Sequence, residues 1–228
     1  MRLTWYGHAA FLLESETQPG RVILDPYRAP DVGTYAPIDD WADVVAISHT
    51  NEKYHSFTEG VRGRDKNSVP QIIDGLRLLS QKRPEIIQDM TFTATEVFEN
   101  EAREGQIAMI GVTIDGIRFL HMGDCGHGLS PDEVAACGKV DVLLALAGGA
   151  PTLSLPDLGA FITELRPKVV IPMHFGNDKI NLNLKPLPDF LAHLPKEMPV
   201  RDFDASTISI GLADLPAATE AWVLTPAR

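Results

Sequence analysis

The stretch Val44-Val45-Ala46-Ile47-Ser48-His49-Thr50-Asn51-Glu52-Lys53-Tyr54-His55 constrains the chain more than any other. A short apolar run rich in β-branched residues reads as a strand buried on both faces, and here it stops abruptly in polar side chains. Residues leaving the end of such a strand enter the crevice where α/β layers bind their ligands. His49 and His55 are therefore candidate metal ligands, close enough along one loop to reach a common point. Asn51, between them, is a candidate oxygen donor.

Other strand ends repeat the pattern. Residues 3–6, 10–14 and 21–24 read as a β-meander broken at Gly7-His8 and at Gln18-Pro19-Gly20. His8, at the first bend, is read as a hydrogen-bonding residue or as a support to a ligand. Asp25 ends the third strand before Pro26, whose ring favours an extended conformation for the residue ahead of it. A carboxylate placed there can orient a neighbouring ligand. Residues 71–73 read as a short strand, 75–83 as a helical piece and 91–98 as a strand with one buried face. Residues 107–114 and 117–120 flank Asp115-Gly116, the signature of a two-residue hairpin. The second strand of that hairpin delivers His121, Gly123 and Asp124, with His127 just beyond. Ser130-Pro131-Asp132-Glu133 is a capping box opening a helix to about residue 137. Residues 140–146 read as a buried strand, Ser154 caps a helix to about residue 165, and residues 168–173 form a strand ending at His174. Pro186 opens a helix to about residue 193, and strands at 207–210 and 222–224 are expected to close the second sheet.

Composition limits the partners. Twenty basic against 31 acidic residues give a net charge of −11, which opposes binding to phosphate backbones or anionic membranes. The expected partner is a small-molecule substrate, with no nucleic acid and no membrane; oligomeric state stays open. No charged segment followed by an apolar one opens the chain, and no long apolar span follows, so a soluble, cytoplasmic protein is expected. Cys125 and Cys137 are too few for a disulfide framework. Cys125 beside Asp124 is a possible soft ligand, though a buried thiol is the expected state.

Taken in order, Ile23-Leu24-Asp25-Pro26, the strand ending at His49, His121-Met122-Gly123-Asp124-Cys125-Gly126-His127 and Ile171-Pro172-Met173-His174-Phe175-Gly176 resemble the motifs of the metallo-β-lactamase superfamily. The resemblance runs from about residue 3 to 176. It implies an α/β (α+β) fold, a four-layer αββα sandwich of two mixed β-sheets with outer helices, as a single domain over residues 1–228. It also implies hydrolysis by metal-activated water, with Asp124 as the bridging aspartate and His174 as the late metal-binding histidine. The chain departs from the superfamily's His-x-His-x-Asp-His, because Asn51, Lys53 and Tyr54 stand where the second His, the Asp and the last His belong. His55 follows one place later. No His occurs in Glu99-Asn100-Glu101-Ala102-Arg103-Glu104-Gly105, where relatives carry another ligand; Glu99 is an oxygen donor there, or part of a solvated loop.

One ion, zinc or else manganese or iron, is therefore expected rather than two, held by His49, Asp124 and His174 with His55 or Asn51. His49 and Asp124 would carry catalysis on an ester, lactone or phosphoester, with Asp25, His8, Lys53, His121 and His127 around them. The rival expectation is a metal-free, catalytically silent binding protein in which the Lys53 ammonium pairs with Asp124, since an ammonium neutralises a carboxylate without activating water.

Overall fold

The computed structural model describes all 228 residues. Fourteen strands and four helices follow in chain order. Strands β1 (Arg2–Gly7), β2 (Ala10–Glu14), β3 (Arg21–Leu24), β4 (Val44–Ile47) and β5 (Gln71–Asp74) precede helix α1 (Gly75–Gln81). Next come β6 (Glu85–Ile87), β7 (Met90–Phe98), β8 (Gln106–Ile114) and β9 (Ile117–His121), then α2 (Pro131–Ala136), β10 (Val142–Leu146), α3 (Leu155–Leu165) and β11 (Val169–Met173). The chain closes with α4 (Leu187–Leu191), β12 (Val200–Asp202), β13 (Thr207–Ser209) and β14 (Glu220–Val223).

Two mixed sheets result. The first runs β13-β1-β2-β3-β4-β5 and the second β12-β14-β11-β10-β9-β8-β7-β6. The β3–β4–β5 portion of the first sheet and the β9–β10–β11 portion of the second are parallel. Ligand sites in parallel layers form beyond the carboxyl ends of the strands, and the histidines and aspartates of the motifs lie there. Asp25 follows β3, His49 follows β4, Asp124 follows β9 and His174 follows β11. His8 occupies the β1–β2 bend.

Both faces of the first sheet are buried, which explains its unbroken apolar runs. Leu3, Trp5, Phe11, Leu13, Val22, Leu24, Val44 and Ala46 point into the main core, shared with Phe92, Ile110, Phe119 and Leu143 of the second sheet. The alternate residues Tyr6, Leu12, Ile23 and Val45 form a second cluster with Tyr27, Val32, Tyr35, Ile38 and Val61. The αββα order holds, but the layer over this face of the first sheet is largely the irregular segment between β3 and β4. Helix α1 bridges β5 of the first sheet and β7 and β8 of the second, and α3 buries Leu155, Leu158, Phe161 and Ile162.

The hairpin turn has φ of 50° at Asp115 and 77° at Gly116, the positive angles that a type I′ turn requires. Ser130 caps α2 through a full capping box. Two sequence expectations fail. The strand at Thr207–Ser209 pairs with β1 at the edge of the first sheet instead of closing the second; only β14 joins β11. Asp25 has φ of 41°, not the extended conformation expected ahead of Pro26. Three hydrogen bonds to its carboxylate, described below, hold it in this left-handed conformation.

The loop carrying Asp124 lies flat on the end of β7, where Gly126 N–H donates to Phe98 O at 2.8 Å. A Cβ at Gly126 would meet Glu99 O at 1.8 Å. Gly126→Ala must push the two segments apart, and overpacking of this kind costs about 1–3 kcal/mol. Urea denaturation of the variant should show that loss, and an unchanged midpoint would contradict the packing.

Candidate metal centre

Asp25 is the hub of the site. It is buried, and its Oδ1 accepts Ser48 N–H at 2.7 Å while Oδ2 accepts Ser48 Oγ–H at 2.6 Å and His55 Nδ1–H at 2.9 Å. Ser48 has a single hydroxyl proton and gives it to Asp25. His49 Nδ1, 2.9 Å from Ser48 Oγ, must then donate its own proton to that oxygen. Both imidazoles hold Nδ1 in a hydrogen bond, which turns Nε2 towards the site. His121 is bound differently: its Nδ1 accepts Gly123 N–H at 3.0 Å and its Nε2–H donates to Ala9 O at 2.7 Å. With both nitrogens engaged, His121 shapes the Gly123–Asp124 turn and offers no lone pair to the site.

The free nitrogens converge on Asp124. His55 Nε2 lies 2.8 Å from Asp124 Oδ2 and His174 Nε2 lies 3.7 Å from Oδ1. Donor atoms of His49, His55 and Asp124 lie within 4.8 Å of one another, and so do those of His8, His55 and His174. His55 Nε2 and Asp124 Oδ1 are among the buried atoms without a hydrogen-bond partner, as are His49 Nε2, His174 Nδ1 and both nitrogens of His8. Buried polar atoms are nearly always paired, so this concentration of unpaired imidazole nitrogens around a carboxylate is chemically suited to a cation. Zinc bonds to nitrogen and carboxylate oxygen span about 2.0–2.2 Å, so three donors spaced as in either group can close on an ion through small side-chain shifts.

In the metal-free protein the imidazoles divide, four neutral and one charged, and an ion bound by His55 would displace its Nε2 proton. Burial lowers the pKa values of His8, His49, His121 and His174, leaving them neutral near pH 7. Burial also acts to lower His55, but the carboxylates of Asp124 and Asp25 outweigh it and raise its pKa to about 10. For Asp124, burial acts upward, yet His55, His174 and His49 hold it well below the usual carboxylate range.

The sequence-predicted residues separate cleanly. His49, His55, Asp124 and His174 come together, and Asp25 stands behind His55. Asn51 acts through its backbone, its carbonyl accepting N–H groups of Tyr54, His55 and Ser56; that turn swings His55 inward. His127 lies outside both donor groups, its Nδ1–H bonded to Gly128 O at 2.8 Å and its ring beside Phe98. Lys53 is exposed, and its carbonyl accepts Arg28 N–H. The Lys53–Asp124 pair of the rival expectation does not form, because the imidazole of His55 occupies the place assigned to the ammonium. Burial raises the Cys125 thiol to about 12, so this side chain is a neutral thiol.

Sequence reading passed over Ser48, whose hydroxyl joins Asp25 to His49, and placed His8 at the margin of a site that it in fact lines. The bend at Gly7-His8 marks His8 only as a support, and nothing local marks Ser48, since both roles depend on which strand ends meet. Glu99, half-exposed, lies with Oε1 3.8 Å from His49 Nε2, in the segment where a motif histidine is missing.

A two-sheet sandwich with a His/Asp donor cluster beyond its parallel strand ends defines a metallohydrolase-type architecture. Residues 2–174 match the family model of the beta-lactamase superfamily domain, and the chain belongs to that family. It is similar to a UPF0173 protein of Pyrococcus furiosus, 28% identical over 187 residues, covering 77% of this chain and 84% of that one. A UPF0173 metal-dependent hydrolase of Archaeoglobus fulgidus is 26% identical over 196 residues, with 77% and 84% covered. A crystal structure from Thermotoga maritima, of a candidate Zn-dependent hydrolase of the metallo-beta-lactamase superfamily, superposes with a TM-score of 0.74 at 26% identity, covering 98% and 97% of the two chains. No helix is long and apolar enough to cross a membrane.

The protonation pattern is testable in chelator-stripped protein. The four imidazoles with lowered pKa take up protons on unfolding, so their contribution makes stability fall as pH drops below about 6.5. His55 acts in the opposite sense: its contribution is full below about 6.5 and is lost as pH rises towards 10. A histidine NMR titration should show one imidazole still protonated at pH 8, absent in His55→Gln. Five neutral signals in that group at pH 8 would refute the charge assignment.

Proposed function

We propose that the protein is a metal-dependent hydrolase using one ion, held by His49, His55, Asp124 and His174, on a small ester, lactone or phosphoester. The observation that carries this reading is the gathering of donor atoms of His49, His55 and Asp124 within 4.8 Å of one another, with Nε2 of both imidazoles left without a hydrogen-bond partner. Three nitrogens and one carboxylate suit zinc, and manganese or iron by the same donor chemistry. When bound, such an ion lowers the pKa of water and polarises an ester or phosphoryl oxygen.

The chain supplies the rest. Asp25 and Ser48 hold His49 and His55 by Nδ1, which directs Nε2 inward. Asp124 has one oxygen towards His55 and the other towards His174, so it can accept a hydrogen bond from the attacking water and set its direction. Glu99, between solvent and His49, is placed to carry a proton to or from the site. A groove of about 440 Å³ beside it, lined by Asn100, Glu101, Gly126 and Pro151 among others, would seat the substrate. The net charge of −11 favours neutral or singly charged small molecules over polyanions and leaves nucleic acid and membranes as poor partners.

Elemental analysis of gently purified protein should find about one equivalent of transition metal, and Asp124→Asn should lose most of it. With a panel of lactones, aryl esters and phosphodiesters, Asp124→Asn should lower kcat/KM for the active class by at least about a hundredfold. Less than about half an equivalent in the unmutated protein, even after zinc or manganese loading, would sink the proposal.

A further inference from the structure

His8 is 1% exposed, and neither of its ring nitrogens has a hydrogen-bond partner. Burying an imidazole without pairing either nitrogen is costly. His49, His55, His121, His127 and His193 each engage Nδ1 in a hydrogen bond. The ring of His8 instead lies 4.5 Å from that of His174 and 5.1 Å from that of His55, tilted by 60° and 56°. Donor nitrogens of the three lie within 4.8 Å of one another.

The backbone holds the ring there. His8 has φ of 50°, a left-handed conformation uncommon among non-glycine residues, though histidine adopts it more often than most. Its carbonyl accepts Trp5 Nε1–H at 3.1 Å and His174 N–H at 3.0 Å. The β1–β2 bend of the first sheet is thereby bonded to the residue that ends β11 of the second. These fixings are made by the main chain, which leaves the side chain without a structural hydrogen bond.

We infer that His8 is a metal ligand, a third imidazole from the β1–β2 bend that joins His55 and His174 around the ion. This rests on the metal-centre reading above. Five protein donors, His8, His49, His55, His174 and Asp124, exceed a tetrahedral set and fit a five- or six-coordinate ion with a place left for water.

Cobalt(II), a spectroscopic probe for such centres, tests it. Wild type, His8→Gly and His8→Asn would be stripped and loaded with cobalt, with His193→Gln as the exposed control. Glycine and asparagine both tolerate a positive φ, and the carbonyl bonds remain, so the metal-free variants should melt close to wild type. We expect both His8 variants to bind cobalt at least about tenfold more weakly in chelator competition. Their visible absorption should also change in intensity and position, and His193→Gln should match wild type in both readouts. Unchanged affinity and spectrum in both variants would overturn the role of His8 while leaving the metal centre standing. Wild type that takes up neither cobalt, zinc nor manganese would overturn both.

Discussion

The carboxylate of Asp25 is the constraint on which the site depends. Buried and bonded to Ser48 twice and to His55 once, it sets the ring orientation of His55 directly and that of His49 through a hydroxyl. Charge-assisted bonds of this kind gain strength where water is excluded. They outweigh a left-handed backbone at Asp25, a conformation that costs on the order of 1–3 kcal/mol. Asp25 is not among the converging donors, yet without it neither imidazole has a defined face.

The second constraint is the meeting of two sheets. Asp25, His49 and His8 come from the first, Asp124 and His174 from the second. Backbone bonds cross the gap at the site itself, with Ala108 N–H to Ser48 O at 3.1 Å and His174 N–H to His8 O at 3.0 Å. The donor geometry is thus set by sheet packing, with the loops contributing short and well-bonded segments.

Most of the architecture was legible in the sequence because its signals are local. Apolar runs of strand length, Asp115-Gly116 and the Ser130 capping box each act within a few residues. The placement of Thr207–Ser209 was not legible, since a three-residue strand carries no mark of which edge it will join. Within the site, residues at ends of parallel strands could be picked out, but their partners could not. The pairing of His55 with Asp124 depends on a turn closed by the Asn51 carbonyl, which brings inward a histidine displaced along the loop from its motif position. Lys53, one residue short of the inward turn at Tyr54, is carried outward by the same geometry. For His8 and Ser48 the deciding contacts join residues that only the folded chain makes neighbours.

Because the converging side chains are drawn from both halves of the sandwich, anything that binds them all acts as a staple between those halves. A folded state that binds a cation and an unfolded one that does not differ by the full binding free energy at the ambient concentration. By that arithmetic, loading with a cation would raise the resistance of the fold to unfolding by holding the two sheets together where they meet.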